Sequence, residues 1–108
     1  MISTHVLDVA RGMPAARLGV ELHRIEGSER ALIASAQTDA DGRIASAFAS
    51  VSGGGTYELT FFAGAYFAQS GTRSLYGKIP VRFEVEDGQR YHIPLLLSPF
   101  GYSTYRGS

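Results

Sequence analysis

The chain has 108 residues, 44% of them apolar, with ten basic residues against ten acidic ones and no cysteine. That length fits a single domain, 1–108, able to bury roughly two-thirds of its unfolded surface in a core. The even charge argues against nucleic acid and membrane as partners, and the missing cysteines exclude disulfides, thiolate catalysis and Cys-based zinc sites.

Apolar residues alternate from the start. Thr4, Val6 and Asp8 alternate with Ser3, His5, Leu7 and Val9, which predicts a first strand. Arg11-Gly12-Met13-Pro14-Ala15 breaks it, because Gly permits a turn and Pro lacks a donor. Leu18, Val20 and Leu22 alternate with Gly19, Glu21 and His23 in a second strand, which places His23 on a solvated face. Gly27-Ser28-Glu29 connects to a third strand, Ala31 to Thr38, and Thr38 to Arg43 forms a turn before a short strand, Ile44 to Ala47. Beyond Gly53-Gly54-Gly55, Tyr57, Leu59 and Phe61 alternate with Glu58 and Thr60 in a half-buried strand. Gly64 to Ser70 reads as one or two helical turns. Val81, Phe83 and Val85 then alternate with Arg82, Glu84 and Glu86, Asp87-Gly88 signals a hairpin, and Arg90 to Ser98 is the returning strand. Pro99-Phe100-Gly101 turns the chain into a last strand, Tyr102 to Arg106. The expectation is an all-β sandwich of seven to eight strands with one short helix.

Several chemistries fall away. Asp39-Ala40-Asp41-Gly42 opens like a calcium loop, but its Gly comes too early and no Glu closes it, so it reads as a turn. Gly53-Gly54-Gly55 lacks the Lys-Ser/Thr of a phosphate loop, and no serine stands in Gly-x-Ser-x-Gly. The three histidines have no paired metal-ligand spacing. His5, Arg43, His92 and the closing Tyr105-Arg106-Gly107-Ser108 remain as candidates. Taken singly, each histidine fits a structural role in a sheet and Arg43 an ordinary loop position. The tail stands apart: it follows a strand-like run too closely to wander, yet carries a phenol, a guanidinium and a hydroxyl.

These residues resemble the 5-hydroxyisourate hydrolases, the transthyretin-like enzymes of urate breakdown. The resemblance runs through Thr4-His5-Val6-Leu7-Asp8, Gly12-x-Pro14-Ala15, Thr38-Asp39-x-Asp41-Gly42-Arg43 and Gly55-Thr56-Tyr57-Glu58-Leu59. It ends in the long run from His92-x-Pro94-Leu95-Leu96-Leu97-Ser98-Pro99 to Tyr105-Arg106-Gly107-Ser108. The hormone carrier transthyretin shares the scaffold but lacks the two histidines and the Tyr-Arg-Gly-Ser ending, so a non-catalytic small-ligand carrier is the alternative reading. One departure is Gly77-Lys78, where family members commonly carry Pro-Glu; it bears on local stability or subunit packing.

The resemblance implies a transthyretin-like β-sandwich that hydrolyses 5-hydroxyisourate to 2-oxo-4-hydroxy-4-carboxy-5-ureidoimidazoline. It implies His5, Arg43, His92 and Ser108 as catalytic residues, with His5, Arg43, Tyr105 and Ser108 contacting substrate. Either His5 or His92 suits the base, since an imidazole titrates near working pH. Arg43 offers a fixed fork for carbonyl and imide edges and for an oxyanion. No metal or organic cofactor is required. The implied assembly is a homotetramer, a dimer of dimers with sites in channels between the dimers. That fits the face of His5, Leu7 and Val9, which has no evident cover within the chain. The longest apolar stretch, Phe61 to Ala68, is too short to cross a bilayer. With neither a secretory leader nor a Ser-Lys-Leu ending in view, a cytoplasmic location is expected.

Overall fold

The alternating segments fold into two stacked sheets in a computed structural model that describes residues 1–51 and 53–108. In chain order the elements are β1 (Ile2–Asp8), β2 (Met13–Pro14), β3 (Gly19–Glu26), β4 (Glu29–Gln37) and β5 (Arg43–Ile44). They continue as β6 (Gly55–Phe61), α1 (Ala63–Ala68), β7 (Ile79–Val85), β8 (Tyr91–Ser98) and β9 (Gly101–Thr104). The first sheet has the order β2-β1-β8-β9, with β5 also on β1; the second has the order β4-β3-β6-β7. Seven strands have four residues or more, while β2 and β5 are two-residue strands on the same edge of β1. β1 and β8 pair in parallel, which requires a crossover; here the whole second sheet lies in the intervening chain.

Burial explains the register. Ile2, Val6, Leu95 and Leu97 of the first sheet face Val20, Leu22, Leu59, Phe61 and Ile79 of the second, and Phe48 packs among them. Burying each such side chain contributes about 1.5–3 kcal/mol relative to exposure. A one-residue slip would turn a whole strand's set to solvent, so the outward positions of β1 and β8 are fixed as firmly as the inward ones. Polar anchors tie the ends together. Thr4 donates to the Ile93 carbonyl at 2.7 Å, and buried Asp8 accepts from the Tyr66 hydroxyl at 2.8 Å, which docks α1. Burial and that carboxylate push the Tyr66 phenol up to about 12.

The structure refines several boundaries. β7 starts at Ile79 with Pro80 inside it, which an edge strand tolerates because no ladder donor is needed on its free side. β9 stops at Thr104 instead of Arg106. The next partner in its antiparallel register on β8 is Pro94, which has no N–H, and the Thr104 hydroxyl takes the Pro94 carbonyl at 2.7 Å. Pairing resumes once, at Gly107 with His92.

His23 does not lie on a solvated face. It points outward as its alternation with Leu22 requires, yet it is only 9% exposed. β3 is an interior strand, and Arg30 of β4 reaches across it to Glu58 of β6 at 2.8 Å. Gly77 has open space around a hypothetical Cβ, so sterics do not demand glycine there. Gly64 is the constrained partner: its N–H donates to the Gly77 carbonyl at 2.8 Å, and its own Cβ would lie 3.0 Å from the Gly77 Cα.

Candidate active site

The outward face of the first sheet gathers most of the candidate residues into two adjacent rows. In one row Arg43 of β5, His5 of β1 and Pro94 of β8 are strand partners. In the next, two residues along β1, Ser3 pairs with His92, and His92 pairs with Gly107 of the tail. Residues two apart on a strand share a face, so Ser3 and His5 are neighbours, as are His92 and Pro94. The His5 and His92 ring centroids are 6.5 Å apart, with the ring planes tilted by 34°.

Arg43 reaches this face through the turn before it. The Asp39 carboxylate accepts from the backbone N–H groups of Asp41 and Arg43, both at 2.9 Å. Gly42 sits in the left-handed region with φ +76°, its carbonyl accepts from Val6 N–H at 2.8 Å, and a Cβ there would collide with the Val6 carbonyl. Thr38 staples the preceding chain by accepting from Leu18 N–H and donating to the Ala15 carbonyl. The stretch that opens like a calcium loop is therefore a turn whose carboxylate positions Arg43 beside His5.

A cleft of about 370 Å3 opens over the second row, lined by Ser3, Arg43, Arg90, His92, Gly107 and Ser108 among others. That size lies in the range of about 300–1,000 Å3 found for small-molecule sites. Its side chains include two guanidiniums and no Asp or Glu. Burial, the Arg43 guanidinium and His5 together hold the His92 imidazole below its usual 6.5, so His92 is neutral at pH 7. Its Nδ1 lies 2.9 Å from the Ser3 hydroxyl.

The tail divides its tasks. Gly107 N–H donates to the His92 carbonyl at 2.7 Å, which lays Gly107 and Ser108 along the cleft. Arg106 turns away: it donates to the Arg90 carbonyl at 2.8 Å and stacks 4.1 Å from the Tyr91 ring centre. Tyr105 is 55% exposed and lines a separate groove with Val81, Phe83, Tyr91 and Ile93, outside its own chain's cleft. The structure thus brings His5, Arg43, His92 and Ser108 together and leaves Tyr105 apart. Ser3 and Arg90 are cleft residues that the sequence did not single out, and Gly107 was named only as part of the tail. Only the parity of Ser3 with His5 hinted at the first of them. Among the described residues, no cluster of three or more His, Cys, Asp or Glu side chains is placed to hold a metal ion, and no helix is long and apolar enough to cross a membrane.

Known proteins share this arrangement of the chain. The family model described as HIUase/Transthyretin family matches residues 2–107. The chain is 46% identical to "5-hydroxyisourate hydrolase 2" of Rhizobium meliloti, covering 99% of this chain and 95% of that protein. The 5-hydroxyisourate hydrolase structure from Klebsiella pneumoniae superposes with a TM-score of 0.88 at 41% identity, over 99% of this chain and 98% of that one. Sea bream transthyretin, solved in complex with thyroxine, superposes with a TM-score of 0.91 at 26% identity, over 98% of this chain and 93% of that one. Shared fold, near-complete coverage and sequence identity lead to one conclusion: this chain belongs to the HIUase/Transthyretin family.

Proposed function

We propose that the protein hydrolyses 5-hydroxyisourate, opening its six-membered ring. The observation that carries this reading is the convergence of His92 and Arg43 at a cleft closed by the tail, with a second imidazole, His5, 6.5 Å from the His92 ring. Water attacks a ring carbonyl carbon, the adjacent C–N bond breaks, carbon keeps a carboxyl group and the departing nitrogen takes a proton. His92 is the better placed base because it lines the cleft, while His5 is a neighbour whose ring centre lies 6.5 Å away. His5 orients water or substrate beside it. Arg43 faces the developing oxyanion with a permanent charge, and Ser108 supplies a hydrogen-bonding wall. No step requires a metal or organic cofactor.

The family likeness and the exposed strand edges support a homotetramer built as a dimer of dimers. β7 and β9 end their sheets with unpaired edges, and such edges template association. In that assembly Tyr105, outside its own cleft, is available to wall a channel shared with a neighbouring subunit.

The close superposition on a thyroxine-binding transthyretin favours one other reading, a non-catalytic carrier. A carrier has no need of a neutral histidine facing a guanidinium. The deciding experiment follows the decay of freshly generated 5-hydroxyisourate with and without the protein. Decay faster than the spontaneous rate, lost on deleting residues 105–108 from a chain that still folds, is the expected outcome. Unaccelerated decay with the folded full-length protein would leave the carrier reading, to be pursued by ligand binding.

A further inference from the structure

An imidazole acts as a base through one nitrogen, and its usefulness depends on which nitrogen carries the hydrogen and where the ring points. His92 is held on two sides. On one, its Nδ1 lies 2.9 Å from Ser3 Oγ, the strand partner of His92 across the parallel β1–β8 pair. No other hydrogen-bond partner of that hydroxyl is present among the described residues. On the other side, the Gly107 backbone lies against the ring. A Cβ on Gly107 would stand 2.7 Å from His92 Cδ2, closer than real Cβ contacts, and a tight 3.3 Å from Pro94 Cγ, so glycine lets the tail approach this ring without displacing it. Gly107 is not in the left-handed region that favours glycine, so it is this contact that selects it.

We propose that Ser3 and Gly107 are positioning residues for His92, with Ser3 accepting from Nδ1–H and Gly107 fixing the ring angle, so that Nε2 faces the cleft with a free lone pair. The direction of the Ser3 hydrogen bond follows from the cleft's charge. Nε2 is the nitrogen left to the cleft, which is lined by Arg43 and Arg90 and no Asp or Glu side chain. A lone pair is favoured over an N–H facing that positive potential. The hydrogen then resides on Nδ1, where Ser3 receives it, and stays there when Nε2 accepts the proton of the attacking water. Ser3 thus supports the resting and the protonated ring through the same bond. The tail acquires a role beyond touching substrate: it is a wall against which a histidine of β8 is set.

This proposal rests on His92 being the base of the hydrolysis proposed above, and its test separates the two. In the full-length protein, 15N NMR of the imidazole reads the His92 tautomer without any turnover. The expected wild-type state is a pyridine-like Nε2 and a pyrrole-like Nδ1. Ser3→Ala should mix the tautomers and lower kcat by about 10-fold with little change in KM, in line with the 10–100-fold losses typical when an orienting partner is removed. Ser3→Thr, which restores a hydroxyl in a strand-compatible side chain, should recover the tautomer and most of the rate. Gly107→Ala should displace the ring and lower kcat by about 100-fold, the cost of a misplacement near 1 Å. A pyrrole-like Nε2 in the wild type, or a Ser3→Ala protein with unchanged tautomer and kcat, overturns the proposal even if the enzyme hydrolyses 5-hydroxyisourate. Absent hydrolysis by the wild type instead overturns the functional reading, while the spectra still decide whether Ser3 and Gly107 hold the ring.

Discussion

Both sheets carry histidine on their outward faces, and His92 of the first and His23 of the second could hardly be placed more differently. His92 of the first sheet has a hydroxyl on one nitrogen and a cationic cleft before it. His23 of the second is buried in mid-sheet opposite Glu58, and its Nδ1 has no hydrogen-bond partner among the described residues. Glu58 itself accepts from Arg30 at 2.8 Å and from Arg82 at 3.1 Å, so charge is more abundant on the second face than on the first. The difference teaches that charge and imidazole alone do not make a site. The first face has a wall, supplied by the tail along β8, and therefore a volume in which a molecule can be held. The second has ion pairs lying over the strands, with Glu58 held between Arg30 and Arg82.

The sharpest way to break this comparison is to remove each histidine in turn. His92→Ala should lower the rate of 5-hydroxyisourate decay by about 10²–10⁴-fold, the span of general acid–base catalysis, with assembly size unchanged by light scattering. His23→Ala should leave turnover at the wild-type level. Equal losses from both would erase the distinction between the faces. A smaller effect is expected from Arg43→Ala, about 100- to 1000-fold for a lost oxyanion donor. The same change sharpens the pH argument. Arg43 helps hold His92 below its usual 6.5, and the base proposed above acts in its unprotonated form. Removing the cation raises the His92 pKa, so the acidic limb of kcat/KM moves to higher pH; a limb that stays put would detach Arg43 from His92. The smallest effect lies on the second face. Glu58→Gln should cost about 1–2 kcal/mol in urea unfolding, between exposed and buried ion pairs, because the carboxylate is buried while its arginines are about half exposed. Hydrolysis should be untouched.

Much of this was legible in the chain. Alternation located β1, β3, β6 and β7, because period two records one face on a shared core, while β4 and β8 were placed by the turn signals before them. The ends of strands were less legible where a distant residue sets them. Nothing near Tyr105 announces that β9 must stop at Thr104; the cause is Pro94, on another strand. The burial of His23 was hidden for a like reason, since an arginine from β4 and a glutamate from β6 cover it. At the site, His5, Arg43 and His92 came from the family resemblance, not from spacing, and the structure supplies the reason they meet: the Asp39–Gly42 turn and the parallel β1–β8 pair. Ser3 escaped because a serine in a strand is unremarkable until the ring beside it is seen, and Gly107, named as part of the tail, showed its contact with that ring only in the structure. Tyr105, by contrast, was named from the resemblance and stands outside its own chain's cleft.

The parallel pairing of β1 with β8 has a consequence for how the molecule is made. Ser3 and His92, joined by one hydrogen bond, are 89 residues apart in the chain. Contacts of that separation close large loops, and folds that depend on them form slowly. A growing chain can build the second sheet while the first face is still in pieces, because all four strands of that sheet precede His92 and the tail in the chain. The cleft proposed above as the site is therefore assembled late, only once His92 and residues 107 and 108 have come to lie beside β1.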